Sequence, residues 1–148
     1  MQIRSRSGGV GTAVAAVALV LAPLAAEAAK STVKAPKSGT YDGGTAEHKP
    51  ITLYISGKSI DLAAFSFKCT GTGGRTSLNG IKLVKAKNGY KFSLKANGSI
   101  SFSDEQPDEN GKVEIAGRFT KSGKKATGTF RIRSSRCHTG TVDWRVRR

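Results

Sequence analysis

The chain has 148 residues and a formal net charge of +15 at pH 7, because 25 lysine and arginine residues stand against 10 aspartate and glutamate residues. A chain of this length buries one hydrophobic core and not two, so we expect one domain. The charge bears on solubility and on the partners that the protein attracts, and it does not bear on the fold.

The first 28 residues have the layout of a cleavable secretory signal peptide. Arg4 and Arg6 form a basic start, and an uncharged stretch rich in alanine, valine and leucine follows over residues 10–24. This stretch is shorter than the ~20 apolar residues of a membrane span. Small residues at the end of the segment predict cleavage after Ala28. We therefore expect a secreted protein, located outside the cell or in the cell envelope, that does not span a membrane after cleavage.

Residues 29–38 are rich in lysine and show no periodicity, so we interpret them as a flexible basic lead-in to one domain over residues 39–148. In that domain apolar and polar residues alternate in segment after segment, which is the pattern of half-buried β-strands, and no segment has convincing helical periodicity. The alternating apolar residues are Ile51, Leu53, Ile55, Ile60, Leu62, Phe65, Phe67, Cys69, Ile81, Leu83, Tyr90, Phe92, Leu94, Ile100, Phe102, Val113, Ile115, Phe119, Phe130, Ile132, Val142, Trp144 and Val146.

Turn sequences separate the predicted strands. Asn88-Gly89 and Asn97-Gly98 are typical of hairpin turns. A change in the phase of alternation at Ala63-Ala64 predicts a β-bulge or a strand that changes the face it presents. About eight or nine strands with regular turns predict an all-β fold, an antiparallel β-sandwich, with a small closed antiparallel barrel as the alternative. The positions of the cysteines, one ending a middle strand and one preceding the last strand, favour the sandwich.

Cys69 and Cys137 are the two cysteines of the chain, and both belong to the part that we expect to be exported. An even number of cysteines in an oxidising compartment predicts one disulfide. A redox pair or two free thiols are the alternatives, but the Cys-x-x-Cys spacing of redox motifs does not occur. On the chain-entropy model, closing a loop of this length stabilises the fold by about 4 kcal/mol.

Several patterns extend along the domain. They are an opening Gly39-Thr-Tyr41-x-Gly-x-Thr45, a Phe-x-Phe-x-Cys strand that ends at Cys69, and a closing run of Gly117-Arg-Phe119, Ala126-x-Gly-Thr-Phe130-Arg131 and Cys137-x-x-Gly140-Thr-Val-x-Trp144. Through them nearly the whole mature chain resembles a family of small secreted β-domain proteins, common in actinobacteria and without an assigned activity. The resemblance implies a β-sandwich-like fold bridged by Cys69 and Cys137, and it implies no catalytic residue.

Residues suited to catalysis or metal binding are few. A nucleophile needs a neighbouring base, whereas His48 lies alone in a turn-like stretch and His138 lies beside a cysteine. Two isolated histidines do not make a zinc site. The acidic stretch from Asp104 to Asn110 offers oxygen ligands for calcium, but its spacing differs from the calcium-loop pattern and its composition is typical of a turn. We expect a protein that is not an enzyme and has no catalytic residues, metal site or cofactor.

Basic residues give the clearest functional signal. Alternation places Arg131 and Arg133 outward on one strand, and Arg145 and Arg147 outward on the last strand. If these strands pair, the four arginines form a contiguous cationic face, which suits phosphate, sulfate or carboxylate groups. A basic surface that only keeps the protein soluble is the alternative. Positive charge continues on other strands at Lys82, Lys85, Lys91 and Lys95.

Together these features predict a secreted, non-enzymatic β-domain that binds anionic cell-envelope polymers through its candidate anion-binding face. One alternative is a small barrel or sandwich that holds an apolar ligand, and another is an unrecognised hydrolase. Export and the inward phase of the aromatic residues argue against binding of intracellular nucleic acid.

Overall fold

The computed structural model describes residues 32–148, and every helix or strand in this range is a β-strand, which confirms the all-β prediction. No helix within residues 32–148 is long and apolar enough to cross a membrane. The signal peptide predicted over residues 1–28 lies outside the described range. The strands are β1 (Gly39–Thr45), β2 (Pro50–Ser56), β3 (Ser59–Cys69), β4 (Thr72–Lys82), β5 (Val84–Ala86), β6 (Gly89–Phe102), β7 (Glu109–Phe119), β8 (Lys125–Arg133) and β9 (Val142–Arg147).

The strands form one antiparallel sheet in the order β4-β3-β2-β1-β9-β8-β7-β6-β5. A further pairing of β4 with β6 closes eight of them into a barrel and leaves β5 outside the ring, paired with the start of β6. This closure is short, since it joins Gly74–Thr76 to Ile100–Phe102. Most neighbours in the ring are also neighbours in sequence, so the fold is an up-and-down barrel.

The sandwich was the preferred prediction and is wrong, whereas the alternative of a closed barrel is correct. Both architectures bury one face of every strand, so alternation is the same in each. Two pairings distinguish the barrel: β1 with β9, where Thr45 lies opposite Trp144, and β4 with β6. Neither pairing has a signature in the sequence, because each joins segments that are distant along the chain.

The predicted disulfide between Cys69 and Cys137 is confirmed, and their Cα atoms lie 5.4 Å apart. Cys69 ends β3, and Cys137 lies in the connection from β8 to β9. In the ring, β3 and β8 are four strands apart in either direction. The bridge therefore ties opposite sides of the barrel together across one end. The same cysteine positions that favoured a sandwich fit this arrangement equally well.

A row of side chains through the barrel explains the glycines of the closing sequence run. Phe92, Gly117, Gly128 and Trp144 lie opposite one another on four successive strands. The indole of Trp144 crosses the two glycines and stacks on Phe92, with ring centroids 5.9 Å apart. A Cβ atom at Gly128 would lie 2.5 Å from Trp144 Cζ2, and one at Gly117 would lie 2.6 Å from Cη2. The two glycines thus make room for the tryptophan.

Aromatic side chains continue this packing towards β1. Phe119 packs against Phe92 at 6.0 Å and meets the edge of Tyr41 at 5.4 Å between centroids. On the other side of the core, Phe65 packs against Phe130 at 4.6 Å. All five rings are buried. The interior of the barrel is therefore filled by its own side chains.

Residues 32–38 have no regular secondary structure and are held against the β7–β8 hairpin. The hydroxyl of Tyr41 donates to the carbonyl of Gly123 at 2.8 Å and to that of Lys37 at 3.2 Å. The amide of Lys34 donates to the carbonyl of Lys121 at 2.9 Å. Burial raises the pKa of Tyr41 above its ordinary value. The described part of the lead-in is thereby fixed at one end of the barrel.

Two local predictions need correction. Asn97-Gly98 is not a turn, because β6 continues through it and pairs with β7 along its whole length. Gly98 serves close packing instead, since an added Cβ would lie 3.0 Å from Val113 Cγ2. The bulge in β3 exists but lies at Asp61, where Ile60 and Leu62 pair with the adjacent residues Ile55 and Tyr54 of β2. Asn88-Gly89 lies at the predicted hairpin turn.

Candidate anion-binding surface

The four arginines of the candidate anion-binding face lie on paired strands, and the register separates them into two pairs. Arg145 lies opposite Thr127 and Arg147 lies opposite Lys125. Arg131 lies four residues after Thr127 along β8, and four residues span about 13 Å of a strand. Asp143 is exposed between the two pairs. The arginines therefore do not form one continuous row, and anion binding by either pair stays a prediction.

Arg131 differs from the other three arginines in its freedom to bind. Arg131 is half-buried, and its Nη2 atom donates to Thr141 Oγ1 at 2.7 Å. Arg133 lies close to His138 through an isolated bridge between their backbones. Arg145 and Arg147 are exposed, and within residues 32–148 their side chains make no hydrogen bond or ion pair. Of the predicted face, Arg133, Arg145 and Arg147 are thus better placed for a partner than Arg131.

A larger basic surface occupies one end of the barrel. Consecutive hairpins of an up-and-down barrel alternate between its two ends. One end therefore contains the start of β1, the β2–β3 hairpin, the segment from β4 to β6, the β7–β8 hairpin and the end of β9. We call it the basic end. Its cationic side chains, all exposed, are Lys34, Lys37, Lys58, Lys82, Lys85, Lys87, Lys91, Arg118, Lys121, Lys124, Lys125, Arg147 and Arg148.

No carboxylate of residues 32–148 forms an ion pair at the basic end, although Asp61 is exposed there near the start of β3. The ion pairs of the described residues are Lys95 with Glu114, at 3.7 Å, and Arg136 with Glu109, at 3.3 Å, and neither includes a residue of the basic end. Asp42 lies opposite Arg147 in the backbone register of β1 and β9. Its carboxylate accepts a hydrogen bond from Thr52 Oγ1 at 2.7 Å instead of forming an ion pair with Arg147. Among residues 32–148, no cation of the basic end therefore forms an ion pair, and Arg148 lies beside the Tyr41 hydroxyl.

Carboxylates concentrate at the other end of the barrel, near the disulfide. Those in or beside its loops are Glu47, Asp104, Glu105, Asp108 and Glu109. Glu109 is the most constrained. It accepts hydrogen bonds from the Ser135 hydroxyl and from the amide and Nε of Arg136. The Arg136 guanidinium lies 4.5 Å from the centre of the Phe102 ring, which fixes it further. This network anchors the loop that carries Cys137.

Hydrogen bonds lower the pKa of Glu109 to about 2, first from the hydroxyls of Ser134 and Ser135 and then from Arg136. Because the folded state favours the ionised form, this contribution to stability is complete above the ordinary pKa and is lost as the pH falls from about 4.5 to about 2. We expect Glu109→Gln to flatten the decrease in Tm over this pH range. Asp108→Asn, which removes the same charge from the same loop, should keep the wild-type dependence. Thermal melts by circular dichroism at several pH values measure both, and equal curves for Glu109→Gln and wild type would contradict the assignment.

The other candidate residues remain dispersed. His48 and His138 are exposed in the β1–β2 turn and the β8–β9 connection. Among residues 32–148, no three His, Cys, Asp or Glu residues lie close enough together to hold a metal ion. The acidic stretch from Asp104 to Asn110 forms the exposed β6–β7 loop and the start of β7.

The basic end was recognised only in part from the sequence, through Lys82, Lys85 and Lys91. The signal that was missed is the alternation of charge between turns. Lysines occupy the β2–β3 and β7–β8 turns, around Lys58 and Lys121, whereas carboxylates occupy the intervening β1–β2 and β6–β7 turns. In an up-and-down arrangement this order places opposite charges at opposite ends.

Comparisons with known proteins add no assignment at this point. No protein-family model matches the chain, and neither a curated protein nor a solved structure matches it. The function must therefore be argued from the surface itself.

Proposed function

We propose that this protein is an exported, non-enzymatic binding module that attaches to anionic polymers of the cell envelope through its basic end. The observation that carries the proposal is the set of exposed cations at that end, none of which pairs with a described carboxylate. Export rests on the predicted signal peptide, and the disulfide between Cys69 and Cys137 is compatible with it.

The chemistry of the basic end suits a repetitive polymer. Most of its cations are lysines, whose flexible ammonium groups act as point charges and impose little geometry on a ligand. Binding to a polyanion releases the counterions condensed on it, which gives affinity without shape recognition. Phosphate-rich or carboxylate-rich envelope polymers meet this description.

Nucleic acid is a less suitable partner than an envelope polymer. Binding of single strands relies on exposed aromatic side chains on which bases stack. The large apolar side chains that are well exposed in residues 32–148 are Tyr54 and Val84, and the phenylalanines and Trp144 lie mostly inside the barrel. An apolar ligand inside the barrel is also less suitable, because it would have to displace these packed rings.

The proposal is tested with polyphosphate of defined length and with poly-glutamate as probes. We expect the oxidised protein to bind both, with affinity that falls steeply as salt rises. The triple variant Lys58→Ala/Lys121→Ala/Lys124→Ala should bind about tenfold more weakly or worse, and the slope of log affinity against log salt should decrease by about two.

The matched control is Lys68→Ala/Lys95→Ala/Lys112→Ala, which removes the same charge from exposed positions away from the basic end. It should retain most of the affinity. Fluorescence anisotropy with labelled probes measures all three proteins. Equal losses in the two triple variants would mean that only net charge matters, and lack of binding by the wild type would overturn the proposal.

A further inference from the structure

A groove on the outer wall lies where β4 and β6 close the barrel. Arg75 is at its centre, opposite Ser101 of β6 on one side and Ser66 of β3 on the other. Two residues further along β4, Ser77 lies opposite Ala64. The side chains next to Arg75 on the neighbouring strands are therefore short, which leaves a depression around a long basic side chain.

The depression consists of two adjoining hollows of about 380 Å³ and about 370 Å³. Both are lined by Pro50, Ser66, Arg75 and Ser101. The first also includes hydroxyl-bearing residues on three strands, and the second includes Lys49. No carboxylate lines either hollow. A groove of this size and charge accommodates an anionic group with part of the molecule that carries it.

Thr52 and Thr76 of the groove have hydrogen-bond partners, whereas Arg75 and the serines have none among the described residues. Within residues 32–148, the guanidinium of Arg75 makes no hydrogen bond and no ion pair, in contrast to those of Arg131 and Arg136. The hydroxyls that line the groove and likewise make no hydrogen bond to a described residue are those of Ser66, Ser77, Ser99 and Ser101. An arginine offers five donors in a fixed plane. The groove thus combines unused donors from three adjacent strands.

The backbone beneath the groove is fixed. The buried side chain of Thr76 donates from Oγ1 to the carbonyl of Ser99 at 2.7 Å, which joins β4 to β6 beside Arg75. Phe67 lies below, so close to Gly74 that a Cβ there would lie 2.6 Å from its ring. The backbone positions that carry the groove's donors are therefore fixed relative to one another, while the Arg75 side chain itself is exposed and becomes ordered when a ligand binds.

We propose that this groove binds a tetrahedral oxyanion, a phosphate or sulfate group, carried by a small hydroxyl-rich molecule or by one unit of a polymer. The guanidinium of Arg75 takes two oxygens side by side, and the serine hydroxyls donate to the others. A planar carboxylate has two oxygens and leaves several of these donors unused. The site lies on the barrel wall, apart from the basic end, and adds recognition of a single group to the charge attraction proposed above.

The test is an NMR titration of the ¹⁵N-labelled protein at constant ionic strength with inorganic phosphate, sulfate, glycerol 3-phosphate and glycerol. We expect saturable shifts of the Ser66, Gly74 and Ser101 amides with the three anions and none with glycerol. Tighter binding of glycerol 3-phosphate than of inorganic phosphate would identify an ester as the ligand, and the reverse order would identify the free anion.

Variants of Arg75 separate the site from general charge. Arg75→Ala should weaken binding about tenfold or more, and Arg75→Lys should lie between it and the wild type, because lysine keeps the charge and loses the paired donors. Lys112→Ala, which removes one exposed positive charge outside the groove, should bind like the wild type. Equal affinity of Arg75→Ala and wild type, or shifts confined to the basic end, would overturn this proposal. The Lys58→Ala/Lys121→Ala/Lys124→Ala variant should keep the groove intact, so the two proposals fail independently.

Discussion

Replacing Cys69 and Cys137 together by serine is expected to lower the free energy of unfolding by about 4 kcal/mol. The bridge joins residues 68 apart in sequence, and on the chain-entropy model its removal frees a long loop in the unfolded chain. It also releases the β8–β9 connection from the end of the barrel. Urea unfolding followed by circular dichroism measures the loss, and a loss below about 1 kcal/mol would show that the bridge contributes little.

The wild type under reducing conditions is the control for this experiment, since it lacks the bridge but keeps both sulfur atoms. It should unfold at nearly the same urea concentration as the double serine variant. Polyphosphate binding gives a second readout. The disulfide lies at the end of the barrel opposite the basic end, so a folded double variant should bind polyphosphate with the affinity of the wild type.

Replacing Trp144 by alanine is expected to cost about 3 to 5 kcal/mol of stability, because it leaves a large cavity above two glycines that cannot fill it. Replacing it by phenylalanine should cost much less. The indole Nε1 atom is buried without a hydrogen-bond partner among residues 32–148, so the phenylalanine variant removes an unpaired donor while keeping an aromatic ring.

Gly128→Ala tests the packing of the Trp144 ring against the backbone of β8. The added methyl group would meet the Trp144 ring and the carbonyl of Ala116, so we expect a loss comparable to that of Trp144→Ala. Thr127→Ala, at the exposed neighbouring position, should change stability little. Urea unfolding ranks the variants. Similar stability of Trp144→Ala and Trp144→Phe would mean that the ring does not pack as described.

Strand prediction succeeded where inward residues are large and regular, as in β2, β7 and β9. It missed the first half of β4, which contains Gly73 and Gly74 and shows little alternation, although it placed Ile81 near the end of this strand inward. Gly74 is buried because the ring of Phe67 occupies the space that its side chain would need. Packing against a distant strand thus determined a local structure that the residues alone do not indicate.

The two candidate binding sites could be predicted from the sequence to different degrees, because each depends differently on the strand order and register. Alternation correctly placed Arg145 and Arg147 outward, but the stagger between β8 and β9 separates them from Arg131, and a register cannot be obtained from alternation. The groove around Arg75 was beyond sequence reasoning, since Ser66 and Ser101 come from strands whose pairing with β4 was unknown. A site made of residues on three strands requires the order of those strands.

The separation of charge along the barrel has a consequence for how the molecule approaches a surface. Exposed cations at one end and most loop carboxylates at the other give the protein an electric dipole moment roughly parallel to the barrel axis. Near a negatively charged layer, the field exerts a torque on this dipole before any contact forms. The molecule then arrives with its lysine-rich turns first, and the Cys69–Cys137 bridge points away from the layer into solution.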